Sequence, residues 1–224
     1  MLFERTTQKG FEIMKKGIWY LLLFGIFTVL IQTVDVQLAG ETGREVGFAT
    51  INACVHRFTG VHMQLYTVTD WLGLVPVGVC LLFGGLGMAQ LLQRKSILKV
   101  DSDIILLGAY YVLVILAYLI FEQIPVNYRP VFIEGRLEAS YPSSTTLLVL
   151  SVMPTLVFQI ERRLKNADIK KGIRFLAGVF SVFMVMGRLI SGVHWVTDII
   201  GAAIFSRGLF CLYKAAVLRY CKKK

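Results

Sequence analysis

The chain has 224 residues, 56% of them hydrophobic and only 17% charged, with a mean hydropathy of +0.66. Soluble domains carry more charge than this, and the length suits one membrane bundle without an added soluble domain. The net charge of +10 resides largely in short segments flanking apolar runs. That placement marks topology determinants beside anionic headgroups and argues against nucleic-acid binding.

Six apolar stretches follow one another. Gly17 to Val34 is free of charge and follows a polar lead without a small-residue cleavage site, so it reads as a retained helix. Trp71 to Gln93, Ile104 to Phe121 and Tyr141 to Ile160 are each near or above the ~18 residues that argue for a spanning helix. Ile173 to Ile190 contains Arg174 and Arg188 near its ends, and Trp195 to Tyr213 contains Asp198 and Arg207. The expected fold is therefore all-α, an integral-membrane six-helix bundle in one domain, residues 1–224.

Loop charges set the orientation. Four Lys or Arg lie in the N-terminal tail (Arg5, Lys9, Lys15, Lys16), three in the loop from Arg94, six between Arg162 and Arg174, and five from Lys214 to Lys224. The positive-inside rule predicts cytoplasmic termini and a multi-pass protein of the inner, cytoplasmic membrane. Residues 35–70, 122–140 and 191–195 then face outward. The first of these contains a turn-rich Gly40-Glu41-Thr42-Gly43 and suggests a short interfacial helix around Phe48 to Leu65. The four cysteines (Cys54, Cys80, Cys211, Cys221) form no C-x-x-C pair, so neither a zinc site nor a redox motif is indicated.

The outward segments collect residues suited to one chemistry. Ionisable side chains within spanning segments are costly and point to function. Arg129 and Arg188 offer planar forks that fit phosphate oxygens, although headgroup anchoring would use the same side chains. His194 and Asp198 are four apart and share a face on a helix, where the carboxylate can orient the imidazole as a nucleophile. A purely structural His-Asp pair has the same spacing. Pro142 with Ser143 or Ser144 opens a helix whose free amides could bind an anion, or which is simply capped.

These residues carry a family resemblance. Arg188-Leu-Ile-Ser-Gly-Val-His194-Trp-Val-Thr-Asp198 resembles the third motif, SRxxxxxHxxxD, of the type 2 phosphatidic acid phosphatase superfamily. Tyr141-Pro142-Ser143-Ser144-Thr145 resembles its second motif, PSGH, and Arg129-Pro130 the end of its first, KxxxxxxRP. The resemblance spans about residues 70 to 213. It implies a nucleophilic His194 that forms a phosphohistidine, an orienting Asp198, and a phosphate held by Arg129, Arg188 and Ser143, with Ser144 and Thr145 beside it. It implies no cofactor and no metal. The expected substrate is a phospholipid or isoprenoid phosphate, met at the outer membrane face.

This chain also departs from the motifs. Glu122 stands at the first motif's lysine, Ser144 and Thr145 at the second motif's glycine and histidine, and Gly187 at the third motif's serine. In the family that histidine protonates the leaving group, which a threonine hydroxyl cannot do near neutral pH. Three readings follow: a substrate with a good leaving group, a relocated acid among His56, His62, Glu122, Glu134 and Glu138, or a lipid-phosphate binder or transporter without turnover. A phosphotransferase using the same histidine is a further alternative.

Overall fold

Each long helix forms where an unbroken apolar run must satisfy its backbone groups internally, as lipid requires. The computed structural model describes residues 2–220, with side chains from Gln8 onward; Arg5, Cys221 and Lys222 to Lys224 lie outside the described side chains. Helix α1 (Leu2–Thr33) leads into a small hairpin, β1 (Gln37–Ala39) and β2 (Arg44–Val46). Helices α2 (Ala49–Thr59), α3 (Met63–Leu72) and α4 (Leu74–Arg94) follow, then α5 (Ser102–Gln123), α6 (Ser144–Arg163), α7 (Ala167–Ile190) and α8 (Val196–Tyr220).

Six helical segments are long and apolar enough to cross a membrane, with α3 and α4 together making one of them. This is the expected all-α bundle. Large apolar side chains such as Trp19, Leu81 and Phe175 stay exposed along the outer helices, as they do where lipid is the solvent. Helices α6 and α8 form the buried centre. Val152, Leu209, Phe210, Tyr213 and Val217 pack there against Leu107, Tyr110 and Val114 of α5.

Small residues let α1 lie close along α8. A side chain at Gly17 would meet Leu212, and one at Gly208 would meet Leu21 at 2.7 Å. Gly10 lies beside Ala215 and Arg219, so the two helices run antiparallel, with the first part of α1 and the last part of α8 at one end of the bundle. At that same end Asp101 accepts hydrogen bonds from Gln90, Arg94 and Arg163, and Asp103 pairs with Arg162 and Arg163. Three of the arginines read as topology charges are thus also the clamp that joins α4, α5 and α6.

The opposite end is built from segments 34–62, 124–143 and 191–195. The expected interfacial helix over Phe48 to Leu65 is two helices, divided at Gly60, whose φ is +70°. The second span begins earlier than expected, at Met63 instead of Trp71, with a joint at Gly73. The fourth begins later, at Ser144, after residues 141–143, which form a bend outside the helix.

Candidate active site

Loop 124–143 carries Asn127, Arg129 and Ser140 into the end of the bundle, and a short isolated bridge between Tyr128 and Ala139 closes it. The hairpin is strapped across its first limb: Glu41 N donates to Pro130 O (2.7 Å) and the Thr42 hydroxyl to Arg129 O (3.0 Å). From the other side, α7 contributes Arg188, and the turn before α8 contributes His194. That turn requires Gly192, whose φ is +70° and whose α-carbon faces Gly60 O so closely that any side chain would collide.

The sequence places His194 and Asp198 four apart on a helix. In the structure His194 precedes α8, and its Nδ1 lies 3.5 Å from Asp198 Oδ2 without a direct hydrogen bond between them. Ser140 fills the gap. Its hydroxyl donates to Asp198 Oδ2 and lies 3.1 Å from His194 Nδ1. A carboxylate only accepts, so the serine oxygen accepts the Nδ1 proton and leaves Nε2 with its lone pair. Asp198 is held further by Trp195 N (2.8 Å) and Asn127 Nδ2 (3.1 Å). All four side-chain groups are buried.

Arg129 and Arg188 converge on Tyr66 of α3, with guanidinium carbons 5.8 and 4.8 Å from its ring centroid. Arg129 Nη2 is paired with Glu138 (3.1 Å). Arg188 Nη1 reaches Asp70 at 3.6 Å and Thr69 Oγ1 at 3.5 Å. Among the described residues, Arg129 Nε and Nη1, Arg188 Nε and His194 Nε2 are buried and find no protein hydrogen-bond partner. Each such group costs about 1–3 kcal/mol or more when charged, so a cluster of them is the mark of an anion site. Burial, and then the charges of Arg129 and Arg188, hold His194 well below its usual imidazole range and keep it neutral.

The second-motif residues are placed differently from one another. Ser143 is the N-cap residue of α6, yet its hydroxyl donates to Thr146 Oγ1 (3.0 Å) and its N–H to Asp198 O (3.2 Å). It therefore ties α6 to α8 and offers neither group freely. Ser144 and Thr145 line a separate cleft of about 510 Å³ between α4, α5 and α6, with Asp70 and Tyr118. Gly187 has a steric reason: an added Cβ there would lie 2.6 Å from the Thr69 methyl. Its bareness lets α3 approach α7 and brings Tyr66 and Asp70 to Arg188.

The acid candidates scatter. Glu138 is committed to Arg129, and Glu122 borders a small recess with Ser140 and Ser144. Glu134 occupies a left-handed turn, His56 stacks edge-on against Trp195, and His62 Nε2 lies 2.9 Å from Thr59 O. Sequence reading missed Ser140, Asn127, Tyr66 and Asp70. For the last two a signal existed: Tyr66, Thr69 and Asp70 repeat at helical spacing, the pattern of a polar stripe facing the bundle. Ser140 and Asn127 carried no such mark.

A family model described as the PAP2 superfamily matches residues 104–220, just over half the chain. The chain belongs to the PAP2 superfamily. Its fold is similar to that of a transmembrane PAP2-type phosphatidylglycerolphosphate phosphatase from Bacillus subtilis, with a TM-score of 0.67 at 20% identity, over 93% of this chain and 99% of that one. At that identity the likeness establishes the fold alone. No curated protein matches the chain. The superfamily match starts at α5, so it includes Arg129, Arg188, His194 and Asp198 but neither Tyr66 nor Asp70. Among the described residues no three His, Cys, Asp or Glu side chains gather as a metal site would need.

Proposed function

We propose that this PAP2 chain is a membrane phosphatase that hydrolyses a lipid phosphate or diphosphate through a phosphohistidine on His194. The observation that carries the reading is the convergence of a neutral, unpartnered His194 Nε2 with unpartnered nitrogens of Arg129 and Arg188 in one buried place. The arginines would hold and polarise the phosphoryl oxygens while Nε2 attacks phosphorus. Asp198, through Ser140, would hold the imidazole in the reactive tautomer and stabilise the charge it gains. Two guanidinium groups supply the positive charge, so the reading requires no metal.

The first part of α1 and the last part of α8 lie at the bundle end opposite the site. With the positive-inside rule, this supports cytoplasmic termini and a site at the outer face of the cytoplasmic membrane. Thr145 in place of an imidazole favours substrates whose leaving group needs little protonation, such as isoprenoid diphosphates. The decisive experiment is phosphate release by detergent-purified protein from parallel lipid phosphates, with His194→Ala alongside. Release that His194→Ala abolishes and EDTA leaves intact is expected. Full release by His194→Ala removes the phosphohistidine, and lipid binding without release makes the chain a binding protein.

A further inference from the structure

We propose that Asp70 is the base that takes a proton from the water hydrolysing the phosphohistidine, an inference that rests on the phosphohistidine reading above. A two-step hydrolysis uses the leaving-group side of the phosphorus twice. In the first step a proton is delivered there to the departing group; in the second a proton is removed there from attacking water. A diphosphate substrate relieves the first demand, because phosphate departs readily as an anion. Nothing about the substrate relieves the second, since the nucleophile is then water. Thr145 meets neither demand.

Asp70 lies beside one of the two arginines that would hold the phosphoryl group. It sits in the last turn of α3, with Oδ1 3.6 Å from Nη1 of Arg188. A phosphoryl group on Arg188 would therefore have this carboxylate within reach of one intervening water. Asp70 is the acidic side chain lining the cleft that ends at Ser144 and Thr145, a cleft that neither His194 nor Arg129 lines. The backbone at Gly73 runs close over Thr145, with only 3.7 Å from an ideal Cβ position there to the threonine methyl. The α3–α4 joint thus brings Asp70 and Thr145, the residue at the family's histidine position, to the lining of one cleft.

The environment suits a base. Its side chain is 58% free of protein cover, which leaves room beside it for the attacking water. The competing carboxylates are worse placed. Glu138 is held more tightly and is less open, at 3.1 Å from Arg129 and 34% exposed, and Glu122 faces a recess of only about 10 Å³. In the step itself, the water oxygen forms a bond to phosphorus while the bond from phosphorus to Nε2 breaks. The bonding pair returns to Nε2, one water proton moves to Asp70, and inorganic phosphate leaves.

The test is rapid-quench labelling with polyprenyl diphosphate carrying ³²P in its terminal phosphate. Asp70→Asn should release about one equivalent of polyprenyl monophosphate per site in a burst and then slow by ~10²-fold, the range of a lost general base. Acid-labile, alkali-stable label should accumulate on the protein and be absent when His194→Ala is combined with it. Hydroxylamine, which attacks without losing a proton to a base, should restore turnover, and Asp70→Glu should restore part of it. Asp70→Asn with full turnover, or with neither label nor hydroxylamine rescue while Asp70→Glu is equally inactive, overturns the role of Asp70. Full turnover by His194→Ala alone overturns the phosphohistidine reading instead, so the two failures are distinguishable.

Discussion

Ser140 stands between His194 and Asp198, accepting from one and donating to the other, so the pair acts through a third residue. Ser140→Ala leaves Nδ1 without its partner and lets the tautomers mix. Turnover should fall by ~10²-fold with KM nearly unchanged, the scale of a misplaced reacting group. Ser140→Thr should recover much of this. Steady-state kinetics on the purified variants checks both, and an unaffected kcat in Ser140→Ala would show that Asp198 reaches His194 unaided.

The acidic limb of the kcat/KM profile reports the free imidazole. Burial and the two arginine charges push His194 below its ordinary 6.5, so that limb should lie below pH 6.5. Arg188→Gln removes one of the lesser causes and should move the limb upward while lowering activity throughout. The same lowering predicts a stability effect. Between the folded value and 6.5 the unfolded chain binds more protons, so stability falls as pH drops through this window. His194→Gln should flatten that slope in thermal unfolding of the detergent-solubilised protein.

Thr145 predicts a leaving-group preference. A positioned acid is worth ~10²–10⁴-fold to an alkoxide and much less to a departing phosphate. The ratio of kcat/KM for a polyprenyl diphosphate over its matched monophosphate should be large in the wild type. Thr145→His should narrow it by rescuing the monoester. A ratio near one, with monoester turnover lost in Glu122→Gln or His56→Ala, would relocate the acid.

Gly187 and Thr69 should be coupled. Gly187→Ala places a methyl 2.6 Å from the Thr69 Cγ2, which must force α3 away from Arg188. Activity should drop at least tenfold, and Thr69→Ser in the same chain should restore most of it, since contacting sites show non-additive effects. Simple additivity would mean that α3 can shift without cost to the site.

Topology can be read with a native probe. Cys54 is exposed at the site end of the bundle, and Lys165 is exposed at the other. An impermeant thiol reagent applied to intact cells should label Cys54, and should miss Lys165→Cys in a chain carrying Cys54→Ser. The opposite pattern would put the site in the cytoplasm.

The bundle was legible in the sequence because lipid leaves a chain few options. Six apolar runs must become helices, and the charge clusters between them order the ends. The third-motif spacing of Arg188, His194 and Asp198 was legible too, since the end of α7, the turn after it and the start of α8 hold all three. Helix boundaries near the site were not, because they depend on Gly60, Gly73 and the turn at 141–143 and not on hydropathy. The direct His194–Asp198 pair inferred from spacing gives way to one bridged by Ser140, which arrives from a loop more than fifty residues away. Ser143 reads as a ligand of the phosphate but is spent on Thr146 and Asp198. Tyr66 and Asp70 fell within what reads as a loop, and only the packing of α3 on the bare surface of Gly187 brings them to Arg188. The sequence by itself determined the medium, the helices and the reactive residue types. The tertiary structure decided which polar groups are satisfied and which are buried without a partner, because that depends on contacts between segments far apart in the chain.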